Sequence, residues 1–220
     1  ETILHELNTL GIKNQDWEEA WTAIKSVWAS KYNERAYLST LKAGISLNDV
    51  YMSTLCQEVI CGDYSFVLHT KNPFNNNSRE IYGELVIGLG EVLVGAYEGR
   101  AFSFVVNKDT SDFKVEAFPN KSVALKSSGF LFRSDSNSED LEDFAGAGLF
   151  DSFIMKQPQE ELLTYAQEKL YLDAGFRREV VMQLKDLGIK VETAFEDFPQ
   201  DIEGVITQEG IYVVQSRPQV

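Results

Sequence analysis

From Met52 onward the chain is cut into short β-rich runs with turn residues between them, and this limits the fold more than any other feature. The runs are Met52–Ile60, Tyr64–Thr70, Arg79–Ile87, Ala101–Val106, Phe113–Phe118 and Gly129–Phe132, and the chain closes with Ile202–Thr207 and Ile211–Gln215. Cys61-Gly62-Asp63 between the first two reads as a hairpin, and the last two read as a terminal hairpin. Strands joined this way pair antiparallel, so the fold class is α+β rather than a doubly wound parallel sheet. The expected domain spans 1–220, with a helical segment over 1–50 and a sheet-rich part over 51–220.

Helices flank the strands. Asp16 is placed to cap a helix whose apolar stripe is Trp17, Trp21, Ile24 and Trp28, and the pattern predicts that it runs to about Gly44. Three tryptophans on one stripe are read as core packing. Glu160–Leu172 and Phe176–Leu187 also read as helices, and residues 134–148 as a polar, glycine-containing loop.

Charge narrows the partners. Thirty-four acidic against 20 basic side chains give a formal net charge of −14, which a nucleic-acid backbone would repel. A nucleotide is compatible, since it needs only local cations and a metal. No apolar run approaches the roughly 20 residues of a bilayer span, so no membrane partner is expected. The first residues, ETILHELNTLGI, read as an amphipathic helix and not as a targeting segment. Two cysteines, Cys56 and Cys61, form no CxxC pair and are read as free thiols in a reducing compartment.

The common nucleotide signatures fail. Gly90 and Gly95 have Walker A spacing, but Ala96 and Tyr97 follow in place of Lys and Ser/Thr. Gly88-x-Gly90 has Leu93 where a dinucleotide loop needs its third glycine. Asp135-x-Asn137-x-Glu139 opens like an EF-hand but has Asp140 at the turn glycine and Gly146 at the bidentate glutamate.

Two polar segments remain. In the terminal hairpin, strand alternation puts Asp201 and Glu203 on one face and Gln215 and Arg217 on one face. Whether the two faces coincide depends on the turn. A two-residue turn at Gln208-Glu209 pairs Glu203 with Val214 and separates the sets. A three-residue loop ending at a left-handed Gly210 pairs Glu203 with Gln215 and Asp201 with Arg217. In the second case carboxylates and an amide oxygen could hold a hard cation and a guanidinium could hold phosphate. An ordinary Asp–Arg bridge on a solvated strand pair would give the same residues. The other segment runs from Arg133 through Ser134 to Asp140, followed by Gly146 and Gly148. There an arginine ends an apolar strand and small residues follow, so backbone N–H groups could approach an anion. A flexible acidic loop is the competing reading.

These residues resemble the nucleotide-binding domain shared by pyruvate phosphate dikinase and phosphoenolpyruvate synthase, and more closely the C-terminal region of the alpha-glucan water dikinases. The runs VWASKYNERA (27–36), QEVI (57–60), GLGEVLVGAY (88–97), FRSDSNSEDL (132–141) and YVVQSRPQ (212–219) carry the resemblance. So does the position of Arg133, well after Trp28 and not near the start of the domain. The resemblance implies an ATP-grasp-type fold, incomplete on its N-terminal side, and a three-step transfer. ATP gives its β-phosphate to a histidine and its γ-phosphate to water, and the phosphohistidine then modifies a glucosyl unit of a starch-like glucan. By the same resemblance Gln57, Glu58 and Val59 line the adenine slot. Arg133 holds phosphate, and Gly146 and Gly148 let the backbone close over it. Glu203 and Gln215 bind Mg2+ with Asp201 beside them, and Arg217 stabilises the transferring phosphoryl group. A lysine-bearing element upstream and a phosphohistidine domain of the same polypeptide complete such an enzyme, so the chain alone is expected to lack parts of the machinery. His69 is read as structural and His5 as incidental. The plastid stroma is the compartment implied, with the cytosol as the other option. Two alternatives remain: a related dikinase acting on a small acid such as pyruvate, and a catalytically silent nucleotide-binding module.

Overall fold

A computed structural model describes residues 2–95, 97–141, 144–145 and 148–219. In chain order the elements are α1 (Thr2–Thr9), α2 (Trp17–Ala29), α3 (Glu34–Lys42), β1 (Met52–Glu58), β2 (Tyr64–His69), β3 (Glu80–Ile87), α4 (Glu91–Val94), β4 (Phe102–Asn107), β5 (Phe113–Ala117), β6 (Val123–Lys126), β7 (Phe130–Ser136), β8 (Asp140–Leu141), β9 (Phe144–Ala145), β10 (Phe153–Ile154), β11 (Gln159–Leu162), α5 (Lys169–Leu172), α6 (Ala174–Ala194), β12 (Gln200–Ile206) and β13 (Ile211–Pro218). Every ladder between these strands is antiparallel, so the class is α+β as the turn spacing predicts. Among the described residues no helix is long and apolar enough to cross a membrane.

The chain forms two compact units, one from residues 1–59 and 128–157, the other from 60–127 and 158–220. In the first, β1, β7 and β10 make a three-stranded sheet in the order β1-β7-β10. Ala20, Ala23, Ile24 and Val27 of α2 pack with Phe132, Met52, Cys56 and Phe130 of that sheet. Trp17 and Trp21 pack against the same cluster, their rings stacked at 5.8 Å. That is the core role expected of them, while Trp28 is 38% exposed and meets Trp21 edge-on.

In the second unit the sheet order is β13-β12-β2-β3-β4-β5. Phe66, Leu68, Ile81, Leu85, Phe102, Phe104 and Ile202 point to one face and bury against Val180, Val181 and Leu184 of α6 and Leu170 of α5. The other face is divided. At one end Val86 packs with Val92, Ala101 and Leu125 from α4, β6 and the start of β4. At the other end the residues are polar, and the candidate site is there.

Several expectations are corrected. Cys61-Gly62-Asp63 does not close a hairpin, because β1 pairs with β7 while β2 pairs with β3 and β12. Gly62 is needed for close approach: a Cβ there would lie 2.1 Å from Val205 Cγ1 and 2.6 Å from the Ile206 carbonyl oxygen. The β7 run accordingly belongs to a different sheet from β2–β5, and it continues to Ser136, so residues 134–136 are strand and not loop. The long helix to Gly44 is broken at Asn33, whose extended backbone (ψ 154°) and side-chain oxygen, 2.7 Å from the Ala36 N–H, start α3 afresh. Asp16 stands at the helix boundary, but its carboxylate makes no capping bond. Residues 159–162 form a strand on β6, not the start of a helix. Tertiary pairing there overrides the helix propensity of Gln-Glu-Glu-Leu, and the helical residues begin at Lys169.

Candidate functional site

The hairpin β12–β13 brings the predicted pairs together by an unexpected route. Ile206 faces Ile211, and the Thr207 N–H reaches the Gly210 carbonyl at 2.9 Å, so the turn is the two-residue one at Gln208-Glu209. Gly210 closes it at φ +154°, a conformation open to glycine. Continued regularly, this register would set Glu203 against Val214. A bulge between Glu203 and Gly204 shifts it by one residue, so that Glu203 opposes Gln215 and Asp201 opposes Arg217. Directly opposed residues share a face, and all four side chains project from the polar end of the sheet.

The neighbouring strands extend the patch. Asp201 also opposes His69, and His69 opposes Tyr82; Glu203 opposes Val67, and Val67 opposes Glu84. Arg217 places Nε at 2.9 Å and Nη2 at 2.7 Å from the same oxygen, Asp201 Oδ2. Asp201 Oδ1 is buried without a hydrogen-bond partner, 3.7 Å from His69 Nδ1, which is buried and unpartnered too, as is Gln215 Oε1. The Tyr82 hydroxyl donates to Glu84 Oε1 at 2.6 Å, and burial together with that carboxylate pushes the phenol above its ordinary range. Among the described residues, no group of three His, Cys, Asp or Glu side chains could hold a metal.

The first unit carries the other predicted residues. Arg133 opposes Leu55 and Gln57 opposes Leu131, which puts Arg133 and Gln57 on the sheet face away from α2. Alternation turns Glu58 to the α2 side. The Val59 N–H donates to the Gly129 carbonyl at 2.8 Å, so that donor is engaged within the first unit. The hydroxyl of Ser134 is engaged by Glu139, and Asn137 ties the following turn to the Tyr51 N–H and the Asp49 carbonyl. Gly148 has φ +72° and open space around it; Gly146 lies outside the described residues.

Residues 7–220 match the family described as pyruvate phosphate dikinase, AMP/ATP-binding domain. The chain belongs to this family. An ATP-grasp-type fold of antiparallel sheets and flanking helices fits that membership. The domain is 50% identical over 206 residues to alpha-glucan water dikinase 2 of Arabidopsis thaliana, covering 93% of this chain and 16% of the relative. It is 48% identical over 206 residues to the chloroplastic alpha-glucan water dikinase of Solanum tuberosum, covering 93% and 14%. It is 29% identical over 198 residues to phosphoenolpyruvate synthase of Pyrococcus furiosus, covering 89% and 21%. The chain thus spans about a sixth of the length of the plant relatives. Family membership makes ATP the ligand of the domain. Sequence reasoning left His69, Tyr82 and Glu84 out of the patch. Their alternation was legible, but the order β12-β2-β3 that aligns them with Asp201 and Glu203 was not.

Proposed function

We propose that this chain is the ATP-binding part of an alpha-glucan water dikinase. The observation that carries the proposal is the Asp201–Glu203 and Gln215–Arg217 patch, in a domain about 50% identical to proteins of that name. Gln215 Oε1 is a buried oxygen without a partner, and with the Glu203 carboxylate it supplies the hard donors that Mg2+ prefers, with Asp201 beside them. Glu203 and Gln215 would hold the ion, with the remaining positions left to water and phosphate oxygens. Bound there, the metal would neutralise charge on those oxygens. Arg217, fixed on one oxygen of Asp201, keeps further N–H groups for the transferring phosphoryl group. Arg133 is a proposed phosphate contact, Gly146 and Gly148 are the glycines proposed to let the backbone close over phosphate, and Gln57, Glu58 and Val59 are the proposed adenine contacts.

In the full reaction the β-phosphate passes to a histidine in another domain of the same polypeptide, the γ-phosphate to water, and the phosphohistidine modifies a starch-like glucan. Relatives named chloroplastic support a plastid location. The similarity to a phosphoenolpyruvate synthase makes a small acid such as pyruvate the rival acceptor, and 50% identity against 29% supports glucan. Calorimetric titration with ATP, with and without Mg2+, is the first test. Binding should strengthen with Mg2+ in the wild type, and Glu203→Ala should lose that gain. ATP affinity indifferent to Mg2+ would sink the metal assignment. Label from the β-position appearing in pyruvate and not in glucan, with the enzyme that contains this chain, would decide for the rival.

A further inference from the structure

We infer that His69 is a positioning residue for Arg217, acting through Asp201; the inference rests on the phosphate-site reading above. Among the described residues four buried side-chain polar atoms lack a hydrogen-bond partner, and three of them, His69 Nδ1, Asp201 Oδ1 and Gln215 Oε1, lie on this one face. Two of the three face each other. A ring nitrogen able to carry hydrogen and an acceptor-only carboxylate oxygen stand 3.7 Å apart, a few tenths of an ångström beyond bonding reach.

The other oxygen of Asp201 already takes both contacts from Arg217. With Oδ1 free, the carboxylate can turn about its Cβ–Cγ bond and carry the guanidinium with it. A hydrogen bond from His69 Nδ1–H to Oδ1 fixes the carboxylate plane, and with it the direction of the arginine fork. The His69 ring has its own support, stacked on Tyr82 at 6.2 Å and 25° between planes. Tyr82 is in turn held by Glu84. Glu84, Tyr82, His69, Asp201 and Arg217 therefore form one line of contacts across β3, β2, β12 and β13. Outer partners of this kind orient the groups that touch ligand, and their loss typically costs about 10- to 100-fold in function.

Two substitutions separate positioning from packing. His69→Phe keeps the ring on Tyr82 and removes the nitrogen; His69→Asn keeps a donor near Nδ1 and removes the ring. In the enzyme that contains this chain, single-turnover transfer from β-labelled ATP should fall about tenfold or more in His69→Phe. Nucleotide affinity should stay within about threefold, and His69→Asn should retain most of the rate. A packing role predicts the reverse order, so His69→Phe at the wild-type rate, or His69→Asn as slow as His69→Phe, overturns the inference. Nitrogen NMR of the wild-type chain without nucleotide gives a reading independent of activity and of variant folding. Nδ1 of His69 should carry the hydrogen, and an Nε2–H tautomer with bare Nδ1 would also overturn it. Loss of Mg2+-dependent ATP binding in the wild type would instead remove the functional reading and leave the NMR result standing.

Discussion

Arg217 rests Nε and Nη2 on a single carboxylate oxygen, a geometry that lysine cannot reproduce although it keeps the charge. On the proposed function, Arg217→Lys in the enzyme that contains this chain should therefore slow histidine phosphorylation by about tenfold or more while ATP affinity changes less, as expected for a group acting where charge develops. Single-turnover transfer beside nucleotide titration separates this from a plain surface bridge, which predicts an unchanged rate and at most about 1 kcal/mol of stability. Tyr64 raises a different matter at the same scale. Its hydroxyl is bonded to Glu168, and its phenol is pushed above the ordinary range first by burial and then by that carboxylate. A raised value means that the fold favours the neutral phenol. The contribution is whole below about pH 10, the usual tyrosine value, and is lost as pH climbs from there toward the folded value. Unfolding midpoints in urea should fall above about pH 10, less steeply in Tyr64→Phe than in the wild type; parallel slopes would rule Tyr64 out. Burial pushes the Cys56 thiol up, which disfavours its thiolate, and both cysteines are free, as expected from their spacing.

Among the elements, the β12–β13 hairpin shows what a sequence discloses and what it hides. Alternation is local, so Asp201 with Glu203, and Gln215 with Arg217, could be grouped at sight. The turn was also legible, but as two readings that place Glu203 against different residues. The structure takes the two-residue turn and then restores the other register with a bulge among Val213, Val214 and Gln215. Nothing in Val213-Val214 marks that device, because a bulge is decided by how β13 lies on β12 and not by side-chain type. The same holds for β1: its alternation is plain, but its partner β7 lies far along the chain, where Met52 meets Ser136. A prediction follows from the bulge. Deleting one of the two valines should regularise the ladder and leave Glu203 opposite the original Gln215. Mg2+-dependent ATP affinity should stay within about threefold, at a stability cost of order 1 kcal/mol. A deletion that abolishes binding in a folded protein would show that the bulge itself shapes the site.

At the scale of the whole molecule, each unit is built from two separated stretches, with crossings near residues 59, 127 and 157. A chain stopped after Ser127 keeps more than half of the residues, but β1 loses β7 and β2 loses β12. Such a fragment should show no cooperative urea transition and little near-ultraviolet circular dichroism, whereas a sharp transition would mean that residues 60–127 fold alone. The interleaving also has a consequence in time. On the ribosome β2 is complete at His69, and one of its edges then waits until Gln200 to Ile206 have been made. At about 5–20 residues per second, the strand that carries Phe66 and Leu68 stays open on that side for roughly ten seconds. The newborn chain is most prone to sticking in that interval, and the hairpin that ends the wait is the one that completes the proposed nucleotide patch.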